Sequence, residues 1–189
     1  MTNARLLIPA VVLLAGAALF ASNRAGVPAD VADAPANPPA SARIAPAGEP
    51  GSPLRVSGTV LAPDGVTPLA GITVYSYQVD AKGHYRADGG LEPPRLRGWA
   101  TTDADGHYEF RTIRPIPYPN HEIPAHLHFH LWGKGYPRQY TDDLQFDDDP
   151  FVTQGQLTRS AARGRFANIC QPQRCTFDIR ILTKTNYTE

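Results

Sequence analysis

The stretch Pro124-Ala125-His126-Leu127-His128-Phe129-His130-Leu131-Trp132 decides how the rest of the chain is read. Histidine and apolar residues alternate along it, and successive side chains of a β-strand point to opposite faces. Leu127, Phe129 and Leu131 therefore share a face that anchors the strand in a core, while His126, His128 and His130 look together into one space. Imidazoles aimed into one space predict a metal site. His130 faces the same way as the other two and competes with them. The same alternation also fits histidines on a solvated face.

Outward from this strand, the chain is punctuated by short strand signals and Asp-Gly turns. Residues 54–61 alternate, Pro63-Asp64-Gly65 turns, 71–79 is rich in Val, Ile and Tyr, and Asp103-Ala104-Asp105-Gly106 turns into 107–113. Residues 126–132 and 175–182 add further strands. No internal repeat and no long amphipathic helical period stands out; residues 149–166 hold at most a short helix. The expected fold is all-β, an antiparallel β-sandwich with long loops. Tyr75 and Tyr77 lie inside an alternating strand and Tyr108 begins another, so all three read as core packing or surface cover. His84 and His107 sit in turns beside Gly83 and Gly106 and read as solvent-exposed.

The 189 residues, 42% hydrophobic, suit one globular domain with extensions. Arg5 followed by the apolar run 6–21 and polar Ser22-Asn23-Arg24 has the pattern of a secretory signal with cleavage after Ala21. The run is short for a membrane span, and contact with a membrane is expected only if this segment is retained as an anchor. The protein is thus expected to be exported, periplasmic or extracellular. Residues 22–53 are dominated by Ala, Pro, Gly and Ser and read as a disordered linker, leaving 54–189 as the folded domain. Cys170 and Cys175 in an exported protein read as a local disulfide. Eighteen basic and eighteen acidic residues cancel, with no basic face, which argues against a nucleic-acid partner. The acidic run Asp142, Asp143, Asp147, Asp148 and Asp149 lacks the spacing of a calcium loop and reads as a solvated turn.

The segment Pro124 to Phe129 resembles the iron-binding strand of the intradiol ring-cleavage dioxygenases, the catechol and protocatechuate dioxygenase superfamily. Upstream, residues 102–115 followed by Pro117-Tyr118-Pro119 are similar to the family's approach to its second tyrosine ligand, and Asp80-Ala81-Lys82-Gly83-His84-Tyr85 looks like the loop carrying the first. The similarity runs from about residue 56 to about residue 182. It implies an immunoglobulin-like or transthyretin-like sandwich and a non-haem Fe(3+) centre held by Tyr85, Tyr118, His126 and His128. Phenolates suit ferric iron, and imidazoles complete a site that keeps a position open. It further implies a small aromatic diol and O2 as partners, opening of the ring to a muconate-type diacid, and assembly into homo-oligomers. Tyr118 would be the ligand that the substrate displaces, and its phenolate would then take a substrate proton. Tyr118 between two prolines also fits an aromatic on an extended polyproline-like loop, and His121 equally fits the pocket mouth.

Two positions depart from the family pattern. Ile123 stands where arginine usually precedes the first histidine ligand by three residues, and Tyr140-Thr141-Asp142-Asp143 replaces a Thr-Thr-Gln sequence. Arg111, Arg114 and Arg138 are candidates to replace the missing cation, and the two acids are expected to disfavour a carboxylated catechol. Residues 56–60 through 68–74 also resemble the opening of carboxypeptidase-regulatory-like and transthyretin-like modules, which bind no iron.

Overall fold

Leu127, Phe129 and Leu131, all at most 1% exposed, are packed between two sheets in the computed structural model, which describes residues 29–119, 121–133, 135–163 and 167–184. In chain order the elements are α1 (Ala29–Ala32), β1 (Ser41–Arg43), β2 (Pro53–Leu61), β3 (Thr73–Gln78), β4 (Leu96–Thr101), β5 (His107–Ile113), β6 (His128–Gly133) and β7 (Tyr136–Tyr140). They are followed by β8 (Gln145–Phe146), α2 (Gln154–Ala162), β9 (Ile169–Cys170), β10 (Arg174–Thr176) and β11 (Ile179–Arg180). One sheet runs β4-β3-β6-β7, all antiparallel; the other runs β1-β5-β2-β10, with β11 also on β2. The chain is all-β, with its core between the inner faces. Phe129 of one sheet meets Tyr108 and Phe110 of the other at ring separations of 6.4 and 6.3 Å.

The outer strands of the second sheet come from sequence positions far away. β1 pairs parallel with β5, and β10 and β11 pair parallel with β2, whereas the central β2–β5 pair is antiparallel. The crossing of the chain near Phe177 over β2 is possible because position 58 is glycine. A Cβ there would lie 1.9 Å from the Phe177 carbonyl oxygen. That same oxygen accepts a 2.6 Å bond from the Tyr108 hydroxyl, so Tyr108 is a core residue with a satisfied polar tip.

Residues 29–53 are not a disordered linker. Their composition is poor in large apolar and aromatic side chains, but the segment is well used: Ile44 and Ala45 are 5% and 2% exposed within the core, and β1 adds to the β5 side of the second sheet. Asp30, 7% exposed, accepts bonds from His130 Nδ1 at 2.6 Å and Arg138 Nε at 2.8 Å. Burial pushes its carboxyl up, but these two hydrogen bonds outweigh that and leave it below its ordinary range. The Trp99 indole N–H donates to the Asp30 carbonyl at 2.7 Å. The start of the segment, around Asp30, thus lies across the outer face of the β4-β3-β6-β7 sheet, while β1 pairs with β5 in the other. The expected signal segment 1–21 and its cleavage point lie outside the described residues. No described helix is long and apolar enough to cross a membrane. Cys170 and Cys175 are disulfide-bonded, with Cα atoms 5.2 Å apart.

Candidate metal centre

His128 and His130 project from the outer face of β6, opposite its buried apolar residues, and His126 immediately precedes the strand. The structure separates the three. His130 is tied to Asp30, while His126 and His128 meet at 4.6 Å between ring centroids. Tyr85 and Tyr118, from two loops far apart in sequence, join them. The Tyr118 hydroxyl lies 2.9 Å from His126 Nε2 and 3.5 Å from His128 Nε2, the Tyr85 hydroxyl lies 2.8 Å from His128 Nε2, and the two hydroxyls contact each other. All four side chains named from the sequence therefore converge. His121 is exposed, with its ring 6.3 Å from that of Tyr118; His84 and His107 are exposed.

The loops are set in place from below. Gln78, fully buried at the end of β3, donates to the Ile113 carbonyl at 2.8 Å and accepts from Thr112 Oγ1 at 2.8 Å, linking the two sheets where the Tyr118 loop departs. Arg114 then makes a two-pronged bond to Asp148, at 2.8 and 2.5 Å, and covers the Phe146 ring at 4.4 Å. The buried carboxylate of Asp149 accepts from the Ala125 N–H at 2.9 Å, fixing the backbone next to His126. The acidic run is therefore not simply a solvated turn, as expected from the sequence. Asp148 and Asp149 hold the loops, Asp142 pairs with Arg163, and Asp143 bonds His128.

The Tyr85 loop reaches the Tyr118 loop through Gly83, whose φ is +79°. A Cβ at that position would meet Pro119 Cδ at 2.6 Å and the Pro117 carbonyl at 3.0 Å. Gly83→Ala is accordingly expected to lower stability by at least about 1–2 kcal/mol, the cost of left-handed backbone alone, as read by urea unfolding. An unchanged midpoint would mean that the two loops are not in contact in solution.

Both histidines are held in one tautomer. His126 Nδ1 is 2.6 Å from the Pro124 carbonyl and His128 Nδ1 is 2.8 Å from Asp143 Oδ1; neither oxygen can donate, so Nδ1 carries the proton and Nε2 presents a lone pair to the cluster. Burial lowers the pKa of His126, keeping it neutral and able to ligate. Burial likewise raises the Tyr85 phenol, helped by its bond to Tyr118, and burial raises the Tyr118 phenol. Without a cation both stay protonated, and a multivalent cation would invert this preference.

The donor set fits a ferric ion: two phenol oxygens and two imidazole nitrogens within hydrogen-bond reach of one another. His126, His128 and Asp143 also form a possible three-ligand group, with ligating atoms within 4.8 Å of one another. The four-residue set is the better fit, since Asp143 bonds the far side of the His128 ring from the nitrogen that faces the tyrosines. Asp143 then bonds the His128 ring from outside the set. Tyr77, read from the sequence as packing, stacks on the His128 ring at 4.5 Å. Its role depends on the β3–β6 register, which places Tyr77 opposite His128 and which no local pattern encodes.

None of the three arginines named from the sequence replaces the missing cation freely. Arg111 bonds Glu109, Arg114 bonds Asp148 and Arg138 bonds Asp30. Ile123 is 43% exposed.

The family described as Dioxygenase matches residues 28–176. Catechol 1,2-dioxygenase 1 of Acinetobacter lwoffii is 32% identical over 123 residues, covering 55% of this chain and 39% of the relative. The protocatechuate 3,4-dioxygenase beta chain of Burkholderia cepacia is 35% identical over 133 residues, covering 62% of this chain and 56% of the relative. The chain thus spans about two-fifths to just over half of the length of these curated relatives. Among solved structures, the dioxygenase domain of a dioxygenase carbohydrate-binding protein fusion from Streptomyces sp. SirexAA-E superposes with a TM-score of 0.55 at 29% identity, covering 78% of this chain and 90% of that one.

Proposed function

Because the chain belongs to the intradiol ring-cleavage dioxygenase family, we propose that it is a non-haem ferric enzyme that opens a catecholic ring between its two hydroxyl-bearing carbons, using O2, to a muconate-type diacid. The observation that carries this reading is the convergence of Tyr85 and Tyr118 oxygens with the His126 and His128 Nε2 atoms. Ferric iron bound by these four atoms would supply the Lewis acidity and redox chemistry that activate the diol toward oxygen.

The chain's own residues bind, orient and move a proton. His126 and His128 are locked by Pro124 and Asp143, so their lone pairs keep a fixed direction while other ligands exchange. Tyr85 is the more deeply fixed phenol, bonded to His128 and packed near Tyr77. Tyr118 lies on a proline-bounded loop and is the phenol suited to leave. With ferric iron bound, the Tyr118 phenolate oxygen would be the group that accepts a proton from a catechol hydroxyl, as a general base.

The test is metal content, visible absorption and oxygen uptake on a panel of catechols, for wild type and Tyr118→Phe. Stoichiometric iron, a tyrosinate charge-transfer band that shifts with catechol, and uptake reduced by roughly 10²–10⁴-fold in the variant, the usual weight of a general base, are expected. A colourless protein that takes up no iron after ferric or ferrous reconstitution would sink the proposal and favour a metal-free binding module.

A further inference from the structure

Asp143 borders the proposed iron site on the side away from the tyrosines. Its carboxylate accepts the His128 Nδ1 proton at 2.8 Å, and its side chain is 41% exposed. With Tyr77, His130, Arg138 and Tyr140 it lines a cleft of about 400 Å³ beside His128. The cleft also contains a cation, Arg138, but that guanidinium bonds both oxygens of buried Asp30 at 3.0 and 2.8 Å. Asp142, next to Asp143, is paired with Arg163, and Arg114 is paired with Asp148. At position 123 the chain has isoleucine. Arg114, Arg138 and Arg163 are thus each paired with a carboxylate other than Asp143, whose own bonded partner is His128; Arg159 lines a separate cavity with Asp142 and Asp143.

We propose that Asp143 is a positioning and specificity residue: it holds His128 with Nε2 toward the ligand cluster, and its negative charge makes the site select uncharged catechols over carboxylated ones. The inference rests on the ferric, catechol-binding reading above. Two consequences follow from elementary electrostatics. A carboxylate bonded to Nδ1–H makes the imidazole a stronger donor to a metal. A like charge fixed beside the site repels an anion bound in it, the more so where water is partly excluded, and such repulsion discriminates between ligands that are otherwise alike.

Asp143→Asn separates the two roles, because the amide oxygen still accepts from Nδ1–H but carries no charge; Asp143→Ala removes both. The ferric wild type and variants are titrated without oxygen with catechol and with 3,4-dihydroxybenzoate, and affinities are read from the shift of the charge-transfer band. The wild type is expected to prefer catechol. Asp143→Asn should retain iron, move the band to longer wavelength as its imidazole becomes a weaker donor, and improve the relative affinity for the carboxylated ligand by about tenfold, the order expected of one nearby charge. Asp143→Ala should weaken iron binding by roughly 10–100-fold. An unchanged affinity ratio in the Asn variant overturns the specificity role, and wild-type iron affinity in the Ala variant overturns the positioning role. If even wild type takes up no iron, the ferric reading fails and the specificity role falls with it. The positioning role is then decided by ¹⁵N NMR of the metal-free protein: a His128 Nδ1–H tautomer that Asp143→Ala abolishes supports it, and a tautomer unaffected by that change overturns it.

Discussion

Replacing His128 by alanine is expected to abolish stable iron binding, leaving protein that loses its metal to a mild chelator and shows no tyrosinate band. Loss of a partner that merely orients a ligand costs roughly 10–100-fold in metal affinity, and loss of the ligand itself should exceed that. The geometry adds to the effect. Without the imidazole, the Tyr85 hydroxyl loses its 2.8 Å partner, Asp143 loses its donor, and Tyr77 loses the ring it stacks on. His130→Ala is the control: it stands two residues along the same face but is committed to Asp30, so iron should remain. Retention of stoichiometric iron by His128→Ala would mean that the ion lies elsewhere.

Phe129→Ala is expected to cost about 3–5 kcal/mol in denaturant unfolding, the range for truncating a buried aromatic. Phe129 is 1% exposed, and besides Tyr108 and Phe110 it packs against Phe177 at 5.1 Å, so its removal leaves a cavity bounded by strands of both sheets. Against a total of roughly 5–15 kcal/mol for a typical domain, this is a large share. A loss below about 1 kcal/mol would mean that the sheets do not close on this ring.

These two neighbours, one a proposed ligand and one a core residue, mark what was legible in the sequence. The period of two along 126–132 gave the division between core face and metal face, and resemblance supplied the two tyrosines that no local pattern could have joined to it. Strands of regular alternation, such as β2 and β5, were visible for the same reason. β4 and β7 were not, because Arg97, Gly98, Pro137 and Arg138 dilute their apolar signal. The packing of residues 29–53 was hidden by composition: large apolar and aromatic side chains are few, yet Ile44 and the Asp30 carboxylate each find a specific partner surface. The functions of Asp143, Tyr77 and Gly83 depend on register and loop approach, which are long-range properties. Departures at Ile123 and Asp143 were visible as letters; only the fold shows that Asp143 bonds His128 and that Arg138 is already engaged.

The short strands at the margins of the five-stranded sheet also bear on self-association. β5 and β2 are long and regular, and either one left open would offer a row of unpaired amides to a strand from another molecule. Each is covered instead by short parallel strands, β1 on β5, and β10 and β11 on β2. What remains at the margin is too brief to template growth, so the distant segments of chain that complete this sheet also shield its long strands from edge-to-edge pairing.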